Sequence, residues 1–584
     1  MRVALAQINP VPGDFRRNYS LVLNEVSRVS EKSADLVVFP ELTLFGYWPR
    51  DLLEREFLVK EQDKALKLLL KKLPTNLTVL LGAVTRNPGK GKPYRNSALL
   101  IQKGRIVSVF HKELLPTYDI FDEARFFHPG RLEDNIFRFK GYKVLVTICE
   151  DIWAWNPKWA SVGDYDNPIT RLAKKAKSGR RSKGSAAAVC DLVVNLSASP
   201  YEKGKAASRA KVVSKTSKTL GAPMIYVNQV GAQDEVLFDG RSILSNSSGK
   251  IAFTATAFSS ATCVFDFDKS RKNCWELVDE TTIKGLSQQA SKATSSTIGR
   301  GGVTSAAAMS GSYVRDHIDA ITMGIEDFCE KNSLARAHLG LSGGVDSALV
   351  CVLAVRALGK ENVTAIYMPG PYSSELSQRL ASELATSLGI EYHELSIQSV
   401  YKTMIGAFDS KFTHNKFDLV NENIQARLRA VYLMAYSNLR GSLLLNTSNK
   451  TETAVGYTTL YGDMCGGLAP IADLLKREVY ELCRELNTMG YSIAEEIFSR
   501  APSAELREGQ EDEKSLPPYK LLDESVEKII TRAEAPSSEV DEFVWNAMSK
   551  SEFKRWQAPP ILRVSNHAFG RGRRYPIRVP PAHF

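Results

Sequence analysis

Residues Leu341 to Ser347 read LSGGVDS, between an apolar run ending in HLGL and a segment, DSALVCVLAVRAL, with helical spacing. The pattern predicts a strand, a tight turn and a helix. Glycines at 343 and 344 let the backbone turn so that main-chain N–H groups face an anion at the helix start. Ser342 and Ser347 add hydroxyl donors. A Walker A loop would close with Lys-Ser or Lys-Thr to hold β- and γ-phosphates, and no lysine stands here. Such a cradle suits pyrophosphate as a leaving group, with ATP split between its α- and β-phosphates and AMP passed to a carboxylate. Taken alone, the same residues also read as a Gly-Ser turn that binds nothing.

Three more residues sit at the ends of apolar, strand-like runs: Glu41 in FPELTLFGY, Lys112 in HKELLPTYDIFDEARFF and Cys149 in VTICEDIW. Strand ends are where α/β folds gather their chemistry. A thiol attacking an amide carbon needs a base for its proton and a cation or N–H donor for the oxyanion. Cys149, Glu41 and Lys112 can supply those roles in turn. Singly, each has a plainer reading: a buried thiol, a polar strand end and a surface lysine.

These residues need a scaffold. At 584 residues, 43 % of them hydrophobic and 24 % charged, the chain suits a soluble protein of two domains. Its net charge of +11 is modest for the length. Eight cysteines without a CxxC pair or zinc-like spacing point to a reducing cytoplasm and no structural metal. No signal-like segment precedes MRVALAQINPVPGD, and no apolar run approaches a membrane span.

Short apolar runs (VALAQI, DLVVFP, TVLLGAV, YKVLVTIC, CDLVVNLS, PMIYVNQV) alternate with amphipathic stretches at 21–33 and 56–72. Residues 269–312, charged and then Ser/Ala/Gly-rich, read as a linker between domains at 1–268 and 313–584. In the second domain, predicted helices at 314–331, 374–388, 422–440 and 473–487 alternate with strands, which gives a doubly wound parallel sheet. RLAKKAKSGRRSK, at 171–183, reads as a solvated basic loop. Asn423 and Arg427 share one face of the 422–440 helix.

SGGVDS resembles the signature of the PP-loop ATP pyrophosphatases, whose members differ in what attacks the adenylate, ammonia or sulfur. AQINP, FPEL, HKELLP, ICEDIW and NLSASPY resemble the nitrilase/amidase superfamily, which implies an α-β-β-α sandwich and a Glu-Lys-Cys amidase site over 1–268. There Glu123 matches an accessory carboxylate, and Tyr118, Ser199 and Lys205 match glutamine-binding positions. NENIQARLR, NTSNKTETAVGYTTLYGDMCGG and QAPPILRVSNHAFGRGRRYPIR resemble the NAD synthetases, and the whole chain is similar to their glutamine-dependent branch.

That resemblance implies ATP at Gly340, Leu341, Ser342, Gly343, Gly344, Val345, Asp346, Ser347, Thr447, Lys476 and Ser503. It implies deamido-NAD at Asn423, Arg427, Glu452 and Lys554, and Mg²⁺ on Asp346 and Glu452. It also implies L-glutamine, ATP and deamido-NAD as substrates. Ammonia must reach the adenylate unprotonated, so a protected path and with it a homo-oligomer are expected, in the cytoplasm and with no nucleic-acid or membrane partner. Two departures, Gly-Pro in MPGPYSS and Cys465 where serine is common, concern loop detail. GMP or asparagine synthetases carry other glutaminase domains. A tRNA thiolase would need paired cysteines or an RNA-binding extension, and neither is visible.

Overall fold

The structure is a computed structural model that describes residues 1–155, 167–178, 189–271, 273–283, 312–412, 414, 416–573 and 575–577. The chain forms two compact units, the first mainly before residue 284 and the second mainly after 312.

The first unit stacks two sheets. One runs β15-β14-β1-β2-β3-β4-β5: Trp275–Ile283, Ser260–Phe267, Arg2–Gln7, Leu36–Val38, Thr78–Arg86, Tyr94–Gln102 and Arg105–His111. The other runs β13-β12-β9-β8-β7-β6: Ile251–Thr254, Ile243–Ser245, Met224–Asn228, Leu192–Ser197, Tyr142–Ile148 and Ile136–Phe139. Val230–Gln233 (β10) and Val236–Asp239 (β11) pair separately. β1 shows why the sheets stack: Val3 and Leu5 pack into the inter-sheet core with Val146, Val194 and Phe265. Ala4 and Ala6 face the layer of helices Phe15–Glu31 and Glu56–Lys72. A period of two that is apolar on both faces belongs to a strand covered on both sides. Helices Pro168–Ser178 and Lys205–Leu220 cover the second sheet and complete the α-β-β-α sandwich.

Two sequence expectations need correction. β15 pairs antiparallel with β14 from Phe267↔Trp275 to Ser260↔Ile283, so the first unit runs past 268 and its last strand lies inside the expected linker. As an edge strand with Leu277 and Val278 exposed, β15 lacks the apolar alternation that would reveal it. The basic run is helical through Ser178: Ile169, Leu172 and Ala173 are buried, and Arg171 pairs with Glu113 and Glu133 at 2.7 Å each. Lysines along one face masked an amphipathic helix. Residues 179–183, and the expected linker from 284 to 311, lie outside the described residues.

The second unit holds the parallel sheet β18-β17-β16-β19: Glu391–Glu394, Val363–Tyr367, Ala337–Gly340 and Leu443–Leu444. The chain leaves β16 for β17 on one side and returns to β19 on the other, so the strand order reverses beside β16. A crevice opens at such a point, beyond the carboxyl ends of the strands. Helices Gln398–Phe412, Tyr519–Val526 and Glu539–Arg555, absent from the sequence reading, flank this sheet's unit.

Candidate active sites

The first site gathers at three strand ends. Glu41 follows β2, Lys112 follows β5 and Cys149 follows β7. Lys112 is 1 % exposed, and its Nζ donates to Glu41 Oε1 at 2.7 Å and Glu123 Oε1 at 2.8 Å. Glu41 also accepts from Asn96 Nδ2 at 2.7 Å and Ala198 N at 3.1 Å, and Glu123 from the Tyr47 hydroxyl at 3.0 Å. Cys149 turns the chain with φ at 40°, a left-handed conformation costly for a residue with a Cβ. The sharp turn is held by Asp151, which accepts from Ile148 N at 2.8 Å, Glu113 N at 2.9 Å and Leu114 N at 3.0 Å. One buried carboxylate thus ties the Cys149 turn to the segment after Lys112.

The electrostatics follow from burial. Burial opposes the Lys112 charge, but Glu123 and Glu41 outweigh it and hold the ammonium well above the usual lysine value. Burial raises Glu123 to about 7 against the pull of Lys112, with Glu41 adding to the rise. Burial, then Glu41, pushes the Cys149 thiol well above its ordinary value, and Lys112 draws it down. A resting thiol of this kind stays protonated until a base takes the proton.

Tyr118 donates to Glu150 Oε2 at 3.0 Å, and Lys205 lies 4.7 Å from the Trp153 ring centroid. Ser199 is buried, with its N–H on Asn228 Oδ1 at 2.8 Å. Burial raises Glu150, while Lys112, Tyr118 and Lys205 lower it, so Glu150 feels two of the three residues expected to bind glutamine. A carboxylate and an ammonium that sense one another carry the charges complementary to those of a free amino acid. Sequence reasoning missed Tyr47, Asn96, Glu150 and Asp151. Only the last two had a visible signal, inside ICEDIW.

The second site is a cavity of about 320 Å³ at the reversal of strand order. It is lined by the phosphate loop, Gly343 excepted, together with Thr447, Glu452, Lys476 and Ser503. Gly343 has φ at 78°, and a Cβ there would meet Ser377 O at 2.5 Å, so both conformation and space require glycine. Ser347 Oγ donates to Gly344 O at 3.0 Å and Ser342 Oγ accepts from Gly344 N at 3.3 Å, which shapes the loop before helix Val345–Leu358.

Lys476 Nζ reaches Asp346 Oδ2 at 2.6 Å and Glu452 Oε1 at 3.1 Å. Burial raises Glu452 to about 7, against Lys476 and with help from Asp346. Two hard oxygen donors converging on one cation position, with the loop beside them, fit Mg²⁺, which takes few protein carboxylates and fills its shell with phosphate oxygens.

The remaining expected residues gather on a loop whose Tyr457 and Thr458 line the same cavity. Asn423 Oδ1 accepts from the Thr459 hydroxyl at 2.8 Å, and Arg427 Nε donates to Leu460 O at 3.1 Å. Lys554 Nζ donates to Gly456 O at 2.9 Å and Thr458 O at 2.7 Å. All three hold the loop at 456–460 and are not part of the cavity lining. Sequence reasoning also missed Asn449, Asp512 and Tyr519. Asp512 and Tyr519 meet at 3.0 Å.

The NAD synthase family model matches residues 317–558, and the carbon-nitrogen hydrolase model matches residues 2–163. The chain is similar to the glutamine-dependent NAD(+) synthetase of Synechocystis sp., 39 % identical over 98 % of each chain. It is also similar to that of Aquifex aeolicus, 36 % identical over 99 % of each. Its fold is similar to glutamine-dependent NAD+ synthetase from Acinetobacter baumannii in complex with adenosine diphosphate, with a TM-score of 0.72 and 32 % identity over 99 % of this chain and 98 % of that one.

Proposed function

This chain belongs to the glutamine-dependent NAD(+) synthetases, ligases that form a carbon–nitrogen bond with nitrogen from glutamine, and we propose how its residues divide that work. The Cys149 thiol attacks the glutamine side-chain amide. Glu41 takes the thiol proton and returns it to the departing ammonia, and Lys112 stabilises the oxyanion. Water then opens the thioester to release glutamate. Glu123 holds Lys112 from its other side. Tyr118, Ser199, Lys205 and Glu150 receive the substrate, with Lys205 on its carboxylate and Glu150 on its ammonium.

In the second unit, residues Gly340 to Ser347, Thr447, Lys476 and Ser503 bind ATP. The carboxylate of deamido-NAD attacks the α-phosphorus, pyrophosphate leaves, and ammonia displaces AMP to give the amide of NAD. Adenylation is needed because a carboxylate is a poor electrophile and oxide a poor leaving group. Asp346 and Glu452 would hold Mg²⁺, whose charge neutralises the pyrophosphate. Asn423, Arg427 and Lys554 shape the deamido-NAD side through the loop at 456–460, with Glu452 facing both substrates.

The observation that carries this reading is the buried Lys112 between Glu41 and Glu123 beside a strained Cys149, in one chain with a lysine-free phosphate loop. The test is NAD formation from deamido-NAD and ATP, with glutamine or ammonium chloride as the nitrogen source. Synthesis from neither would refute it. We also propose a cytoplasmic homo-oligomer without nucleic-acid or membrane partners. All eight cysteines are free, no described helix is long and apolar enough to cross a membrane, and Val400, Met404, Phe412, Phe417 and Leu419 are exposed apolar side chains that a second copy could cover.

A further inference from the structure

We propose that Asn449 is a positioning residue that aligns the two carboxylates facing the cation position. This rests on the assignment of Asp346 and Glu452 to the Mg²⁺ that accompanies ATP. Asn449 is 0 % exposed, and both ends of its amide are engaged. Its Oδ1 accepts from Glu452 N at 2.9 Å and so caps helix Lys450–Val455. Its Nδ2 donates to Asp346 Oδ1 at 2.9 Å. The partners settle the amide's orientation: turned over, it would set NH₂ against an N–H and oxygen against a carboxylate.

One planar group therefore joins the first turn of the helix carrying Glu452 to the first turn of the helix carrying Asp346, 103 positions away. With Oδ1 of Asp346 held by Asn449, the carboxylate plane is set and Oδ2 faces the point occupied by Lys476 Nζ. The cap in turn sets where the turn bearing Glu452 begins, and Glu452 Oε1 faces that same nitrogen. A metal ligand oriented by such a hydrogen bond does not search for its geometry when the cation arrives.

Serine separates the two duties of Asn449. It caps a helix about as well as asparagine, but its short hydroxyl cannot also span to Asp346. The experiment uses the full chain with Asn449→Ser and Asn449→Ala. ATP binding is measured at equilibrium by calorimetry across a Mg²⁺ titration, without deamido-NAD so that nothing turns over, and thermal unfolding is followed alongside. Both variants should need about 10–100-fold more Mg²⁺ for half-saturation, the usual cost of losing a residue that orients a metal ligand. The serine variant should melt with the parent, and ATP binding without Mg²⁺ should change little in either. A serine variant with the parent's Mg²⁺ requirement would overturn the tether and leave Asn449 a helix cap. Equal loss of ATP binding with and without Mg²⁺ would overturn it in favour of a packing role. A parent whose ATP binding ignores Mg²⁺ would overturn the metal assignment itself, and the tether with it.

Discussion

Replacing Lys112 by Met removes a cation bonded to both Glu41 and Glu123, the only such cation among the described residues, leaving two buried carboxylates facing one apolar chain. Two consequences follow, one in catalysis and one in stability. The tetrahedral oxyanion loses its charged donor, which by analogy with other oxyanion sites costs about 10²–10³ in kcat. Breaking a buried pair from one side costs about 3–5 kcal/mol when the remaining charge stays buried. Glu123 offers partial relief: already raised to about 7 by burial against the pull of Lys112, it rises further without that pull and takes up a proton. A carboxyl whose folded value lies above its unfolded one binds its proton more tightly when folded. Stability is then present at low pH and lost as pH rises from the unfolded value through the folded one. The variant should therefore lie closest to the parent near pH 5 and fall progressively behind it towards pH 8. Glutamine hydrolysis and urea unfolding at several pH values measure both effects, with ammonia-dependent NAD synthesis as the control for the second unit. Hydrolysis within tenfold of the parent would refute the oxyanion role. A stability loss that does not vary with pH would refute the account of the carboxylate pair.

Cys149→Ala should abolish glutamine-dependent synthesis by several orders of magnitude, because the covalent route itself is lost, and leave ammonia-dependent synthesis nearly intact. Failure with both donors in a folded variant would make Cys149 structural. Asp346→Ala should abolish synthesis with either donor while glutamine hydrolysis persists, and normal ammonia-dependent synthesis would remove Asp346 from the mechanism. Gly343→Ala sets a Cβ 2.5 Å from Ser377 O at a φ of 78°, so ATP affinity measured by calorimetry should fall at least tenfold. Unchanged affinity would show that the loop does not need this conformation.

The parts legible in the chain are those whose physics is local. In SGGVDS, a glycine's conformational freedom and two serines five positions apart act within a single turn. ICEDIW carries its own strain and its own buttress, because Asp151 reaches back three residues to Ile148. The alternation of Val3 and Leu5 with Ala4 and Ala6 declares a strand buried on both faces before any partner is known.

What tertiary structure alone decided are contacts across long separations of sequence. Asn96 meets Glu41 across 55 positions, Tyr47 meets Glu123 across 76, and Asn449 meets Asp346 across 103. Each is an ordinary polar residue in its own segment, and only the folded chain gives it a partner. β15 and the helix at Pro168–Ser178 escaped notice for a related reason: an edge strand and a lysine-rich helix keep one face in water, so composition reports the solvent and not the sheet beneath. Residue type and near spacing determine which chemistry a chain can perform. The distances that make it happen are fixed only when segments far apart in sequence exclude water together, because there an unpaired charge or amide is costly and each must find a partner.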